Sequence, residues 1–89
     1  MTQPPALADT LLALCQGAAG RTIDPAEAAR AHAALTGGGE LAWRGWLQQV
    51  RGAAVRLALE GRLVIYRKGK PADPADFRGV YRIGAPRDE

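Results

Sequence analysis

A long amphipathic helix that runs directly into two short apolar runs, joined by a basic, proline-containing loop, predicts an α+β fold. The class is a winged helix-turn-helix: three helices with a small antiparallel sheet and a wing hairpin. Three observations over residues 43–82 carry this expectation. Apolar residues recur at a helical period through W-R-G-W-L-Q-Q-V-R-G-A-A-V-R-L-A-L-E, and Gly61 stops the run. The pattern then changes to β-branched and aromatic residues on either side of R-K-G-K-P-A-D-P-A-D-F-R-G.

In chain order, Pro4 and Pro5 can open a first helix whose Leu7, Leu11, Leu14 and Cys15 share a face, with Gly17 as its stop. A G-A-A-G-R loop leads to Thr22 and Ile23, a stretch too short for more than one β-bridge. Asp24-Pro25-Ala26-Glu27 reads as a helix start, with Asp24 as N-cap, Pro25 at the first helical position and Glu27 reaching back to close a capping box. Ala28, Ala29, Ala31, Ala33, Ala34 and Leu35 give this second helix a small-residue face suited to close packing. T-G-G-G-E at 36–40 ends it with a connection longer than the turn of a compact helix-turn-helix.

The third helix places Trp43, Trp46, Leu47, Val50, Ala53, Ala54, Leu57 and Ala58 on one broad face. Arg44, Gln48, Arg51 and Val55 fall opposite, forming a basic outer stripe. Gly45 and Gly52 each cost about 1 kcal/mol of helix propensity against alanine, and Gly45 predicts a break between a lead-in turn and the main helix. Strands are expected at 63–66 and 80–83. The dozen or so residues between them, with Pro71 and Pro74 excluding ladder pairing, read as an extended wing, too long for a tight turn. Arg67, Lys68, Lys70 and Arg78 sit along that wing, together with Asp73 and Asp76.

The chain of 89 residues is expected to form one domain over 1–89, with flexible ends at 1–5 and 85–89. Such a length buries roughly 60–65% of its unfolded surface, enough for a single modest core. Apolar content of 47% and charge of 24% belong to a soluble globule rather than a disordered tail. The single cysteine excludes an internal disulfide and a cysteine-built metal site, and fits a reducing cytoplasm. The N-terminus lacks the basic and apolar regions of a signal peptide, and no apolar run approaches the roughly 20 residues that span a bilayer, so no membrane association is expected.

A net charge of +3 conceals an asymmetry. Residues 1–41 carry two basic and four acidic side chains, whereas residues 42–82 carry nine basic and three acidic ones, a net of +6. Charge gathered in the helix-plus-wing half is the pattern of a polyanion-binding domain. An alternative source is composition: ten of the twelve basic residues are arginine and eighteen residues are alanine, the bias of a GC-rich genome.

Candidate chemistry is sparse. His32 is the only histidine and has no partner at metal-ligand spacing, so it reads as an ordinary helix residue. Cys15, on an apolar face, reads as a small buried hydrophobe rather than a redox thiol. Asp73 and Asp76 fit local turn capping better than acid–base work. The glycines at 37–39 lack the lysine and hydroxyl of a phosphate-binding loop. No catalytic residue, metal or cofactor is implied, and an enzyme is not expected. Trp43 and Trp46 read as bulky anchors for an alanine-rich core, or as aromatics at a protein contact.

The residues also resemble a bacterial family of short, uncharacterised winged-helix proteins. These share T-I-x-P-x-E-x-A-R-A, then W-R and V-R, then R-L-x-x-E-G-R-x-V-I-x-R-K-G-K-P-x-D-P, and R-G-x-x-R-I. The corresponding stretches are 22–31, Trp43 with Arg44, Val50 with Arg51, 56–74 and 78–83. The segment 36–40 departs from the pattern, being longer and richer in glycine. The resemblance implies the winged-helix fold and assigns no activity.

DNA binding is therefore the leading expectation, of a regulatory kind, with the third helix in the major groove and the wing on the backbone. Arg44, Gln48, Arg51, Arg67, Lys68, Lys70 and Arg78 form the expected interface. A monomer would have a small footprint, which favours a homodimer, although no dimer helix is visible. The rival class is a protein-interaction module on the same scaffold. It draws on the acidic wing residues and on Val55 in the outer stripe.

Overall fold

The computed structural model describes residues 6–18, 21–37 and 42–86. Expectations for Pro4 and Pro5, for the 19–20 part of the first loop, for the glycine connection at 38–40 and for 87–89 fall outside the described residues. Helices α1 (Leu7–Gly17), α2 (Pro25–Leu35) and α3 (Trp43–Leu59) are followed by strands β1 (Val64–Arg67), β2 (Lys70–Pro71) and β3 (Arg82–Gly84). The strands form an antiparallel sheet in the order β2-β1-β3. Ile23 adds one bridge on the free side of β3, its N–H donating to the Ile83 carbonyl at 2.7 Å and its carbonyl accepting from Ile83 at 3.0 Å. Helix, bridge, two helices, strand, wing and strand make up a winged helix.

Local chemistry sets the helix ends. Asp24 caps α2, its Oδ1 accepting from the Ala26 N–H at 2.8 Å, and Pro25 opens the first turn. Glu27 is exposed and makes no reciprocal capping bond among the described residues, so the expected capping box is only half formed. α3 ends in a Schellman motif: Gly61 is left-handed at φ 77°, and Arg62 and Gly61 donate to the carbonyls of Leu57 and Ala58 at 2.9 and 3.0 Å. The break expected at Gly45 is absent. α3 runs through it, because a glycine in the first turn weakens a helix without redirecting it.

The wing differs most from expectation. Instead of an open loop, it doubles back at once in a two-residue turn at Lys68 and Gly69, both left-handed at φ 53° and 79°. Arg67 then faces Lys70 and Tyr66 faces Pro71. Pro71 is tolerated because antiparallel hydrogen bonding alternates. The next residue, Ala72, donates to the Ile65 carbonyl at 2.8 Å, so the donor that Pro71 lacks would have pointed outward from an edge strand. The strands also begin later than expected, at Val64 and Arg82, leaving Val80 82% exposed and outside the ladder.

The core lies where the three helices meet the inner face of the sheet. Leu11, Val50, Leu63, Ile65 and Ile83 supply its bulk, and Ala28, Ala29, Ala53 and Ala54 form the seam between α2 and α3. Ile65 and Ile83 are direct cross-strand partners on the inner face. Tyr66 points the other way and is still buried, because its ring lies along Gly84, where a Cβ would stand 3.3 Å from Tyr66 Cε2. Leu47, expected in the core, is 36% exposed, whereas Val55, expected outside, packs against the core. The apolar stripe of α3 is thus rotated toward Val55. If β2 pairs as described, the Ala72 amide should exchange at a rate comparable to Ile23 and Ile83. Exchange at the rate of an open loop, measured by NMR, would restore the solvated wing.

Candidate functional site

The outer side of α3 and the wing beside it form the candidate site. Arg44 and Gln48, in the first half of α3, are exposed. Arg51 is half-buried and already engaged. Its Nη2 donates to the Phe77 carbonyl at 2.8 Å, and its guanidinium lies 4.0 Å from the Phe77 ring centre and 5.8 Å from that of Tyr81. Phe77 and Tyr81 are themselves buried and pack edge to face at 5.1 Å. The return leg of the wing is therefore seated on the helix.

Arg67 secures the same leg from the strand side. Its Nε donates to the Val80 carbonyl at 3.0 Å, and its guanidinium passes so close to Gly79 that a Cβ there would lie 3.1 Å from Nη2. Of the seven residues expected at the interface, Arg51 and Arg67 thus hold the wing in place. Lys68, Lys70 and Arg78 are exposed, and no ion pair ties them to an acid among the described residues. Asp73 closes a turn inside the wing, accepting from the Ala75 N–H at 2.9 Å, as its place in the loop suggested.

Residues 4–86 match the family model DUF3253, described as a protein of unknown function. The chain belongs to the DUF3253 family. No curated protein matches it. The fold of this DUF3253 domain adds residues to the site that periodicity did not single out. Arg30 on α2 lies 4.5 Å from the ring centre of Trp43, with Arg44 5.5 Å from the same ring, so one indole gathers two cations where α2 meets α3. Phe77 was also missed, although a lone phenylalanine in a polar loop was a readable signal of burial.

The other reactive types have structural partners. His32 is 4% exposed, shares a hydrogen bond of 2.9 Å between Nδ1 and Thr10 Oγ1, and meets the half-buried Trp46 edge to face at 4.6 Å. Among the described residues no three His, Cys, Asp or Glu side chains gather as metal ligands would, and no helix is long and apolar enough to cross a membrane. Burial raises the Tyr81 phenol; the Arg51 charge works against that shift and Asp24 adds to it.

Burial also pushes the Cys15 thiol from 9.0 to about 11. Because the folded value lies above the unfolded one, this contribution to stability is complete below pH 9 and is lost as the pH rises through about 11. Urea melts across that range should show a fall of which about 2–3 kcal/mol disappears in Cys15→Ala. An identical fall in the variant would place the thiol in contact with water.

Replacing Arg51 with alanine removes both the stacked cation and its bond to Phe77. The expected loss is about 1–2 kcal/mol, with faster exchange at Ala72. Arg51→Lys should recover less than half of it, since an ammonium cannot stack and donate in the same geometry. Unchanged melts for both variants would mean that the wing does not depend on this contact.

Proposed function

We propose that this protein binds duplex DNA as a regulatory winged-helix protein. The first half of α3 enters the major groove and the wing rests on the flanking backbone. The observation that supports this best is the division among the basic side chains. Arg51 and Arg67 fix the wing against α3 and β1, while Arg44, Lys68, Lys70 and Arg78 remain exposed on the two elements so joined. A recognition helix reads bases with its N-terminal residues, which here are Arg44 and Gln48; Lys68, Lys70 and Arg78 serve the phosphates. Arg51 and Arg67 act chiefly by positioning. The small footprint of a monomer favours binding as a homodimer. The protein needs no cofactor in this role, performs no catalysis and works in the bacterial cytoplasm, where its one thiol stays reduced.

Docking to another protein is the second reading. It is favoured by Val80, 82% exposed on the wing, and Leu47, exposed on the same helix as Arg44.

Four exposed cations give a slope of log K against log salt of roughly −3 to −4 on duplex DNA, at about 0.9 per phosphate contact. Arg44→Ala should lower the slope by about one if it meets only phosphate. If it reads a guanine, one site should lose about 1–3 kcal/mol while nonspecific binding changes less. A folded protein that shows no binding to a mixed-sequence duplex at about 50 mM salt would end the DNA reading and leave docking in its place.

A further inference from the structure

We propose that the outer face of the sheet carries a second site, which binds the phosphate of a small phosphomonoester with a flat apolar body. A groove of about 580 Å³ opens there between the bridge segment and the wing turn, walled by Arg21, Thr22, Lys68, Val80, Tyr81 and Arg82. Strand alternation puts it on the far side from the core: Ile65 and Ile83 face inward, so Arg82 faces out. Cations reach it from three separate segments, and no carboxylate lines it. Asp24 approaches from the flank, its Oδ2 4.0 Å from Arg82 Nη1, and Glu27 lines an adjoining hollow that shares Arg21 and Arg82.

Two features prepare the groove for an anion. Arg82 is held before any ligand arrives, with Nε donating to Thr22 Oγ1 at 2.7 Å and Nη2 to the Thr22 carbonyl at 3.0 Å. Little side-chain ordering is then left to pay for on binding. Lys68 occupies a left-handed turn position, φ 53°, where turn chemistry favours asparagine, aspartate or glycine. A lysine there accepts backbone strain to place a cation at the mouth of the groove, and strain of this sort gathers at functional sites. Arg21 and Lys68 have no ion-pair partner among the described residues, so an anion in the groove supplies both with a charge-assisted partner beside the fixed Arg82. Val80, 82% exposed, and the ring of Tyr66 on the outer face form an apolar wall beside the cations. That wall selects an organic phosphate over the bare ion.

This site shares only Lys68 with the DNA reading and is tested without DNA. The whole chain, labelled for NMR, is titrated with phenyl phosphate and with inorganic phosphate at fixed ionic strength. Saturable shifts should centre on Arg21, Thr22, Lys68, Gly69 and Arg82, with phenyl phosphate bound several-fold more tightly. Arg21→Glu and Lys68→Asn, the second of which suits the turn, should each weaken phenyl phosphate about tenfold. Arg44→Glu on α3 should leave it unchanged. Shifts that stay linear in ligand, or spread equally to Arg44, Arg56 and Arg78, would reduce the effect to charge screening and overturn the site. Equal affinity for the two phosphates would overturn the ligand class.

Discussion

Arg51 sits near the middle of α3 with its guanidinium 4.0 Å from the centre of the Phe77 ring and one N–H on the Phe77 carbonyl. The residues it joins are 26 apart in the chain. A connection of the wing's length has many routes back to the sheet, and closure entropy separates them only weakly. Seating Phe77 on the helix chooses one. From there Tyr81 turns into the core, Arg82 pairs with Tyr66, and Ile83 lies between Ile65 and Ile23. An arginine suits the task because its plane can stack on a ring while its edge donates a hydrogen bond.

The reason aromatic side chains are needed at that boundary lies in the core. α2 and α3 meet through alanines, which let the helices approach closely but bury little area apiece. The missing bulk comes from rings at the margin, which is where apolar surface meets water. Trp43 lies under Arg30 and Arg44, Phe77 under Arg51, and Trp46 against His32. A cation on the outer face of a ring covers apolar area while keeping its own head hydrated. The arginine content of the chain therefore has a structural use, separate from any ligand.

Much of the fold was legible because its signals are local. Asp24 with Pro25 starts a helix, Gly61 ends one, and the Thr22–Ile23 stretch has room for one bridge and forms one. The wing was less legible. Whether Pro71 can pair depends on where the turn falls, and the turn rests on Lys68, which propensity would not select for a left-handed position. The candidate site was legible in residue type but not in role. Arg44 and Arg51 occupy the same helical stripe and look equivalent in sequence. Only the return of Phe77 to α3 distinguishes the exposed one from the engaged one.

That distinction separates two quantities which net charge merges. An arginine that donates to a backbone carbonyl, as Arg51 and Arg67 do, keeps its full charge and still contributes to the field around the wing. Arg62 and Arg82 are different, being offset by Glu60 at 3.7 Å and Asp24 at 4.0 Å. Over a Debye length of about 10 Å at 0.1 M salt, a polyanion therefore senses Arg51 and Arg67 together with Arg44, Lys68, Lys70 and Arg78. On the proposed reading, a bound polyanion would meet chiefly the last four. Approach and docking would then draw on different sets of residues. Loss of an engaged arginine weakens the field and loosens the wing together, whereas loss of Lys70 or Arg78 removes a charge and leaves the frame intact.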